Sequence, residues 1–263
     1  MDLTFLLPPA VGMARARARG ELLAAGLSQA VGRPLRVEIA TDYADLTLRA
    51  RTGAVHLVWA PAMACAHLES ARALYRVVRH GRDHYRSALI ARRDGHVSLH
   101  ALARVRAAWV DPLSLGGYLL AIEHLEELGL EPFTTLGAQT FHGSHPAALA
   151  ALLAGDAELS AISVAAEGDD DIVEAIALHV GRAGPDHLHA LAVTRSVPSD
   201  ALALTSGLSE DEAEEIRSRL FPDPEGGRGA SALCLAMESE GFVRAQASDY
   251  ESVLSLDAIA RRA

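Results

Sequence analysis

Residues 35–62 read LRVEIATDYADLTLRARTGAVHLVWAPA, and this stretch decides the fold. Leu35 to Ile39 alternates apolar and polar side chains, which predicts a strand. Asp42 to Asp45 supplies a helix cap, and Gly53 ends the helix that follows. Val55 to Trp59 predicts the next strand. A strand, a helix and a second strand in this order indicate an α/β fold with a mostly parallel sheet.

The pattern extends toward the N-terminus. Leu3 to Leu7 is a short apolar run closed by Pro8-Pro9, which predicts a first, buried strand. Ala14 to Val31 has helical periodicity and ends at Gly32-Arg33-Pro34. The first sixty residues are therefore predicted as strand, helix, strand, helix, strand.

The same logic continues toward the C-terminus. Further strands are predicted at 85–91, 105–110, 159–164 and 190–194, and helices at 114–128, 144–155 and 209–220. The acidic run Glu167 to Asp171 is predicted as a solvated loop.

Composition excludes several classes of function. The chain has 263 residues and a formal net charge of -10, which argues against nucleic acid and anionic membranes as main partners. No apolar run approaches the roughly 20 residues of a membrane-spanning helix. All 24 cationic residues are Arg, so no Lys is present for Schiff-base or P-loop chemistry. Cys65 and Cys234 lack metal-binding spacing and are expected to be packed thiols, although a disulfide stays open.

The N-terminal residues predict a strand rather than a secretory signal. Met1-Asp2-Leu3 is not basic, and Pro8-Pro9 ends the apolar run too early for a signal peptide. We therefore expect a cytoplasmic protein, with a periplasmic location as the alternative for a trimmed sequence that has acquired a new Met1.

Five segments, taken together, resemble one family. They read ATDYADLTLRARTGAVHLVWAPA at 40–62, YRSALIARRDGHVSLHALARVRAAWVDPLSLGGYL at 85–119, GSHPAALAALLAGDAELSAIS at 143–163, HVGRAGPDHLHALAVTRSVP at 179–198 and GFVRAQASDYESVLSL at 241–256. In this order they resemble the phosphate/phosphite/phosphonate-binding proteins of ABC transporters, which have the type-2 periplasmic-binding fold.

The resemblance implies two α/β lobes joined by a hinge of two crossing strands. Lobe one would comprise 1–88 and 189–263, and lobe two 89–188. A small anionic ligand would lie in the cleft between the lobes, which would close about the hinge. The partners implied are this ligand and an ABC transporter permease or a regulatory protein. Neither nucleic-acid binding nor membrane insertion is expected.

The loop after the strand at 105–110 is the main candidate for anion binding, since helix N-termini carry free N–H groups and partial positive charge. Ser114, Leu115, Gly116 and Gly117 lie there. The family usually offers several hydroxyls before the glycine, whereas this chain keeps only Ser114. Compensation is expected from Arg86, His84 or His145, or else the ligand is a carboxylate or a larger apolar anion.

The remaining site predictions each have a structural alternative. Tyr43 and Tyr85 match family tyrosines and could contact the ligand or fill the helix start and the hinge. Pro61 follows a strand at the edge where ligands collect in α/β sheets, whereas its neighbour Trp59 is expected in the core. Ser144 and His145 begin a helix, as a cap or as ligand contacts. Glu158, near a family acidic position, is expected to be a solvated turn.

No cofactor or metal is expected. The His187/His189 and His142/His145 pairs lack a third ligand nearby, and Asp169 to Asp171 lack the spacing of a calcium loop.

Three functions stay open: a solute-binding protein or sensor, an enzyme on the same fold, and a degenerate binding fold that acts through a protein partner. We expect the first, because no activated nucleophile or catalytic triad is evident.

Overall fold

The structure is a computed structural model that describes residues 2–9, 20, 24–165 and 168–263. It divides into two compact units. The described part of unit 1 comprises 2–9, 20, 24–84 and 198–254, and that of unit 2 comprises 85–165, 168–197 and 255–263. The described chain thus passes between the units at 84/85, 197/198 and 254/255.

The strands are as follows in chain order: β1 Leu3–Leu7, β2 Leu35–Ile39, β3 Leu57–Ala60, β4 Ala73–Val78, β5 His84–Arg92, β6 Ala107–Trp109, β7 Gln139–Phe141, β8 Leu159–Val164, β9 Leu188–Val193, β10 Val197–Pro198, β11 Ala201–Leu204, β12 Gly226–Gly227 and β13 Gly241–Ala245.

The α-helices are as follows: α1 (described over 24–31), α2 Tyr43–Arg51, α3 Ala62–Cys65, α4 Leu120–Glu127, α5 Pro132–Thr135, α6 His145–Ala154, α7 Asp169–Val180, α8 Gly184–His187, α9 Glu210–Leu220, α10 Ser231–Met237 and α11 Asp257–Ala260. A π-helical turn, Leu115–Leu119, precedes α4, and a 3₁₀ segment covers Ala247–Leu256.

Unit 1 is built on a seven-stranded sheet with the order β12-β13-β4-β11-β3-β1-β2. β1 pairs in parallel with β2 and β3, as predicted, and β11 joins β3 to β4 in antiparallel pairing. Its core is apolar and includes Phe5, Tyr75 and Phe221, with the last two rings stacked at 4.0 Å. Of the predicted helix from Ala14 to Val31, residues 14–19 and 21–23 lie outside the described residues.

Unit 2 is built on a second sheet with the order β10-β5-β8-β6-β7, in which β9 also pairs with β5. β6 is parallel to both β7 and β8, so the carboxyl ends of these three strands lie at one edge. Trp109 and Tyr118 are buried in this unit with ring centroids 5.6 Å apart. The carboxyl edge is the position where ligands bind in open α/β sheets.

The prediction that Asp169, Asp170 and Asp171 form a loop is wrong. These residues form the first turn of α7. Carboxylates are favourable there because they lie beside the partly positive N-terminus of the helix. The run of three aspartates is thus a signal for the start of a helix. The same negative charges make the N-terminus of α7 unsuitable for binding an anion.

The helices of the described residues include none that combines the length and the apolar character needed to cross a bilayer.

Candidate functional site

Two helix N-termini meet at the carboxyl edge of the unit 2 sheet. The chain leaves β6 at Val110 and begins the π-helical turn after Ser114. It leaves β7 and begins α6 after Ser144, and on the way the Gly143 N–H donates to the Val110 carbonyl at 2.7 Å. Two sets of N-terminal N–H groups therefore lie at the same strand ends, where they favour negative charge.

Ser114 caps the first of these helical segments. Its side chain is almost fully buried, and its Oγ accepts the Gly117 N–H at 3.2 Å. The Leu119 N–H donates to the Ser114 carbonyl at 3.0 Å, five residues back. Such wide turns are rare and occur mostly as single turns at functional sites.

The turn contains Gly116 because its surroundings leave no room for a side chain. A Cβ atom at Gly116 would collide with the hydroxyl of Ser163 and would approach Tyr85 Cε2 to 3.1 Å. The Tyr85 ring and the Ser163 hydroxyl therefore lie against the first helical turn. The structure brings together Tyr85, Ser114, Leu115, Gly116 and Gly117, which were all predicted site residues.

Ser163 is a residue that the sequence reasoning missed. It lies in β8 directly opposite Ser87 of β5 in antiparallel pairing. Residues that face each other in this way project from the same face of the sheet. The register therefore places two hydroxyls beside a loop whose own side-chain hydroxyl is that of Ser114 alone. The sequence signal is two serines, Ser160 and Ser163, in the otherwise apolar strand β8, which does not indicate a site by itself.

Ser144 and His145 lie at the start of α6. Ser144 Oγ accepts the Ala147 N–H at 3.4 Å, so it is a helix cap. The His145 ring is buried and stacks on His179 with centroids 4.9 Å apart. Burial lowers the pKa of His145 to about 4, partly opposed by a hydrogen bond to the Ala161 backbone. His145 is therefore neutral at pH 7 and supplies no positive charge to an anion.

The other two residues expected to compensate for the missing hydroxyls have contacts elsewhere. Arg86 donates to the Thr194 carbonyl at 2.7 Å. His84 Nδ1 lies 2.6 Å from Asp83 Oδ1 on the surface of unit 1. The groups seen against the π-helical turn are the hydroxyls of Ser87, Ser114 and Ser163 and the Tyr85 ring.

Tyr43 and Pro61 belong to unit 1, at the carboxyl edge of its own parallel strands. Tyr43 is the first residue of α2, where Asp42 is the cap, and its side chain is largely buried. Pro61 precedes α3 directly after β3. Trp59, predicted as a core residue, is buried in the core of unit 1.

A partly buried ion pair lies beside Trp59. Arg79 contacts both carboxylate oxygens of Asp200, at 2.7 and 3.1 Å, and the Trp59 indole N–H donates to the same carboxylate. Burial alone would raise the pKa of Asp200, but the guanidinium and the indole outweigh it and lower the pKa. This carboxylate is therefore ionised and structural.

The remaining candidates are the possible metal ligands, the two cysteines and Glu158. Within 2–9, 20, 24–165 and 168–263, no three His, Cys, Asp or Glu side chains are grouped as metal ligands. Cys65 and Cys234 are free, buried thiols, and burial raises the pKa of Cys65. Glu158 accepts the Arg106 N–H at 3.0 Å on the surface.

Comparison with solved structures places the fold in the class of type-2 periplasmic-binding proteins. A binding protein component of an ABC phosphonate transporter from Pseudomonas aeruginosa matches with a TM-score of 0.81 and 17% identity, over 99% of this chain and 87% of that chain. PhnD1 from Prochlorococcus marinus, in complex with methylphosphonate, matches with 0.78 and 17%, over 99% and 97%. A Xanthomonas citri protein bound to ATP matches with 0.73 and 19%, over 99% and 97%.

A family model gives the more specific assignment. The family described as the phosphonate periplasmic substrate-binding protein of ABC transporters matches residues 5–250. The chain belongs to this family, whose members bind small ligands and work with an ABC transporter permease. No curated protein sequence matches the chain.

The expected cytoplasmic location is not supported. The matched family is described as periplasmic, which agrees with the alternative stated for a trimmed sequence. The prediction failed because it was based on the apolar run at the N-terminus, which forms the buried strand β1. A buried strand at this position is compatible with either compartment.

Proposed function

We propose that this protein is a solute-binding protein that captures a small oxyanion, phosphonate-like or carboxylate, at the π-helical turn of unit 2. The observation that carries the proposal is the Ser163 hydroxyl beside Gly116. It supplies, from a neighbouring strand, a second hydroxyl beside the one that the loop keeps at Ser114.

The chemistry of the turn supports this ligand class. Ser114 Oγ accepts from Gly117, which leaves the Ser114 hydroxyl hydrogen available to donate. The first N–H groups of a helix have no intrahelical backbone partner and carry partial positive charge. Of these, the Gly117 N–H donates to Ser114 Oγ. Hydroxyls and N–H groups together can hold an oxyanion without a cationic side chain.

Tyr85 and Leu115 favour a ligand with a small apolar part. The Tyr85 ring edge lies against Gly116, and Leu115 begins the turn. Tyr43 and Pro61 of unit 1 stay sequence predictions for ligand contact. We propose that delivery of the ligand to an ABC transporter permease follows from membership of the family.

The test is a titration of the purified protein by calorimetry with methylphosphonate, phosphate, sulfate and acetate. We expect at least one oxyanion to bind, and Ser163→Ala to weaken it by about tenfold to a hundredfold, as for the loss of one hydrogen bond to a charged group. Ser160→Ala is the matched control, because Ser160 lies in the same strand and donates to the Ala108 carbonyl at 2.7 Å.

Binding that is equally strong in parent and Ser163→Ala would contradict the role of Ser163. Absence of binding to all four anions would contradict the ligand class and favour a fold that acts through a protein partner.

A further inference from the structure

The peptide group between Gly116 and Gly117 is held from both of its ends. Its carbonyl oxygen accepts the Ser87 hydroxyl at 2.6 Å, and its N–H donates to Ser114 Oγ at 3.2 Å. A peptide group is planar, so fixing both of its polar atoms fixes the orientation of the whole plane.

This restraint matters because two successive glycines have unusual backbone freedom. The glycines themselves are required by their surroundings, since a Cβ at Gly117 would collide with Val110. The two glycines let neighbouring elements approach the turn closely, but they leave its backbone flexible. Neighbouring groups therefore have to fix its conformation. The wide hydrogen bond from Leu119 to Ser114 shows that the turn is not an ordinary α-helical one.

Ser87 is well placed to fix the conformation of the turn. Its side chain is fully buried in β5. Its N–H donates to Thr194 Oγ1 at 3.0 Å, and its carbonyl accepts the Thr194 N–H at 2.8 Å. The strand thus fixes the Ser87 backbone, and Ser87 transmits that position to the Gly116 carbonyl.

From this arrangement we infer that Ser87 is a positioning residue of the anion site: by fixing the Gly116–Gly117 peptide it sets the conformation of the turn, and thereby the direction of the Leu115 and Gly116 N–H groups and of the Ser114 hydroxyl, without contacting the ligand itself. The inference rests on the proposed function and adds a residue that acts through the backbone.

Ser160 provides a matched control for the test. Ser87 and Ser160 are both fully buried serines in neighbouring strands, and each donates to one backbone carbonyl, at 2.6 and 2.7 Å. Replacing either by Ala leaves one buried carbonyl without its donor, so both variants are expected to lose similar stability. Only the Ser87 acceptor belongs to the turn.

The experiment compares Ser87→Ala, Ser160→Ala and the parent by calorimetric titration with methylphosphonate and by amide hydrogen exchange of the ligand-free proteins. We expect Ser87→Ala to raise Kd about tenfold, as for the loss of one hydrogen bond, and Ser160→Ala to change it less than about twofold. We expect faster exchange at Gly117 and Leu119 in Ser87→Ala alone.

Equal changes of Kd in both variants, or unchanged exchange at Gly117 in Ser87→Ala, would overturn the inference. If the parent gives no binding heat, the proposed ligand class fails, and the exchange rates still decide whether Ser87 holds the turn. Faster exchange confined to Ser87→Ala would then support the positioning role.

Discussion

Adding a methyl group at Gly116 should lower the stability of unit 2, mainly because of a collision with Ser163. In Gly116→Ala the new Cβ collides with the Ser163 hydroxyl and reaches 3.1 Å from Tyr85 Cε2. Over-packing of this kind costs about 1–3 kcal/mol. A Gly to Ala change within a helix otherwise gains about 0.5–1 kcal/mol. We therefore expect a net loss of about 1–2 kcal/mol in the free energy of unfolding.

The identity of the neighbour can be tested by a double-mutant cycle. Ser163→Ala removes the colliding oxygen and leaves the Ser163 Cβ, which lies 3.2 Å from the Cβ position at Gly116. In this background the added methyl group should change the free energy of unfolding little, because its remaining neighbours, at 3.1 and 3.2 Å, can be accommodated by small shifts. We expect a coupling free energy of about 1 kcal/mol or more between the two substitutions.

Tryptophan fluorescence during urea unfolding can follow unit 2 by itself. The chain has two tryptophans, Trp59 in unit 1 and Trp109 in unit 2. Placing all four members of the cycle in a Trp59→Phe background leaves Trp109 as the reporter. The midpoint gives the stability change, provided that the slope with urea stays constant.

Additive effects would refute this reasoning. If the sum of the single substitutions predicts the double variant to within about 0.5 kcal/mol, Ser163 does not occupy the space beside Gly116. The Ser163 hydroxyl would then also be misplaced as a ligand donor.

Two further predictions concern charged groups. The contribution of His145 to the unfolding free energy of unit 2 should be full above about pH 7.5 and should fall by up to about 3 kcal/mol toward pH 4, because the unfolded histidine takes up a proton that the buried ring does not. Urea unfolding of the parent and of His145→Gln between about pH 4 and 8 checks this, and an equal pH dependence in the two proteins would contradict it. Arg79→Met should destabilise unit 1 by about 1–3 kcal/mol, since the partly buried Asp200 carboxylate loses two charged hydrogen bonds, and Arg79→Met with Asp200→Leu should recover much of the loss. Trp59 fluorescence measures both variants, and a single variant as stable as the parent would show that the pair contributes nothing.

Elements with local signals could be predicted from the sequence. α2 begins after Asp42, whose carboxylate accepts the Asp45 N–H at 2.7 Å, and the chain turns at Gly53 with a φ of 69°. α6 likewise begins after Ser144 and ends at Gly155 with a φ of 80°. Caps and glycines act over a few residues, so their effect is readable without any tertiary contact.

Predictions that depended on distant contacts were incomplete. The helix expected from Ser114 begins as a π-helical turn, because Gly116 and Gly117 allow β8 and the Ser87 hydroxyl to approach its backbone. Charge compensation at the turn depended on such contacts: burial makes His145 a neutral ring, and Arg86 donates to the Thr194 carbonyl, while its role toward a ligand stays a prediction.

The sequence by itself determined the α/β class, the parallel order of the first three strands and the loop around Ser114 as the anion-binding candidate. Only the tertiary structure decided which hydroxyls surround that loop. Ser87 and Ser163 reach it because the antiparallel register of β5 and β8 sets them opposite each other on one face. Register depends on which residues pair across the sheet, and a slip of one strand by one residue would put its serine on the opposite face from the other.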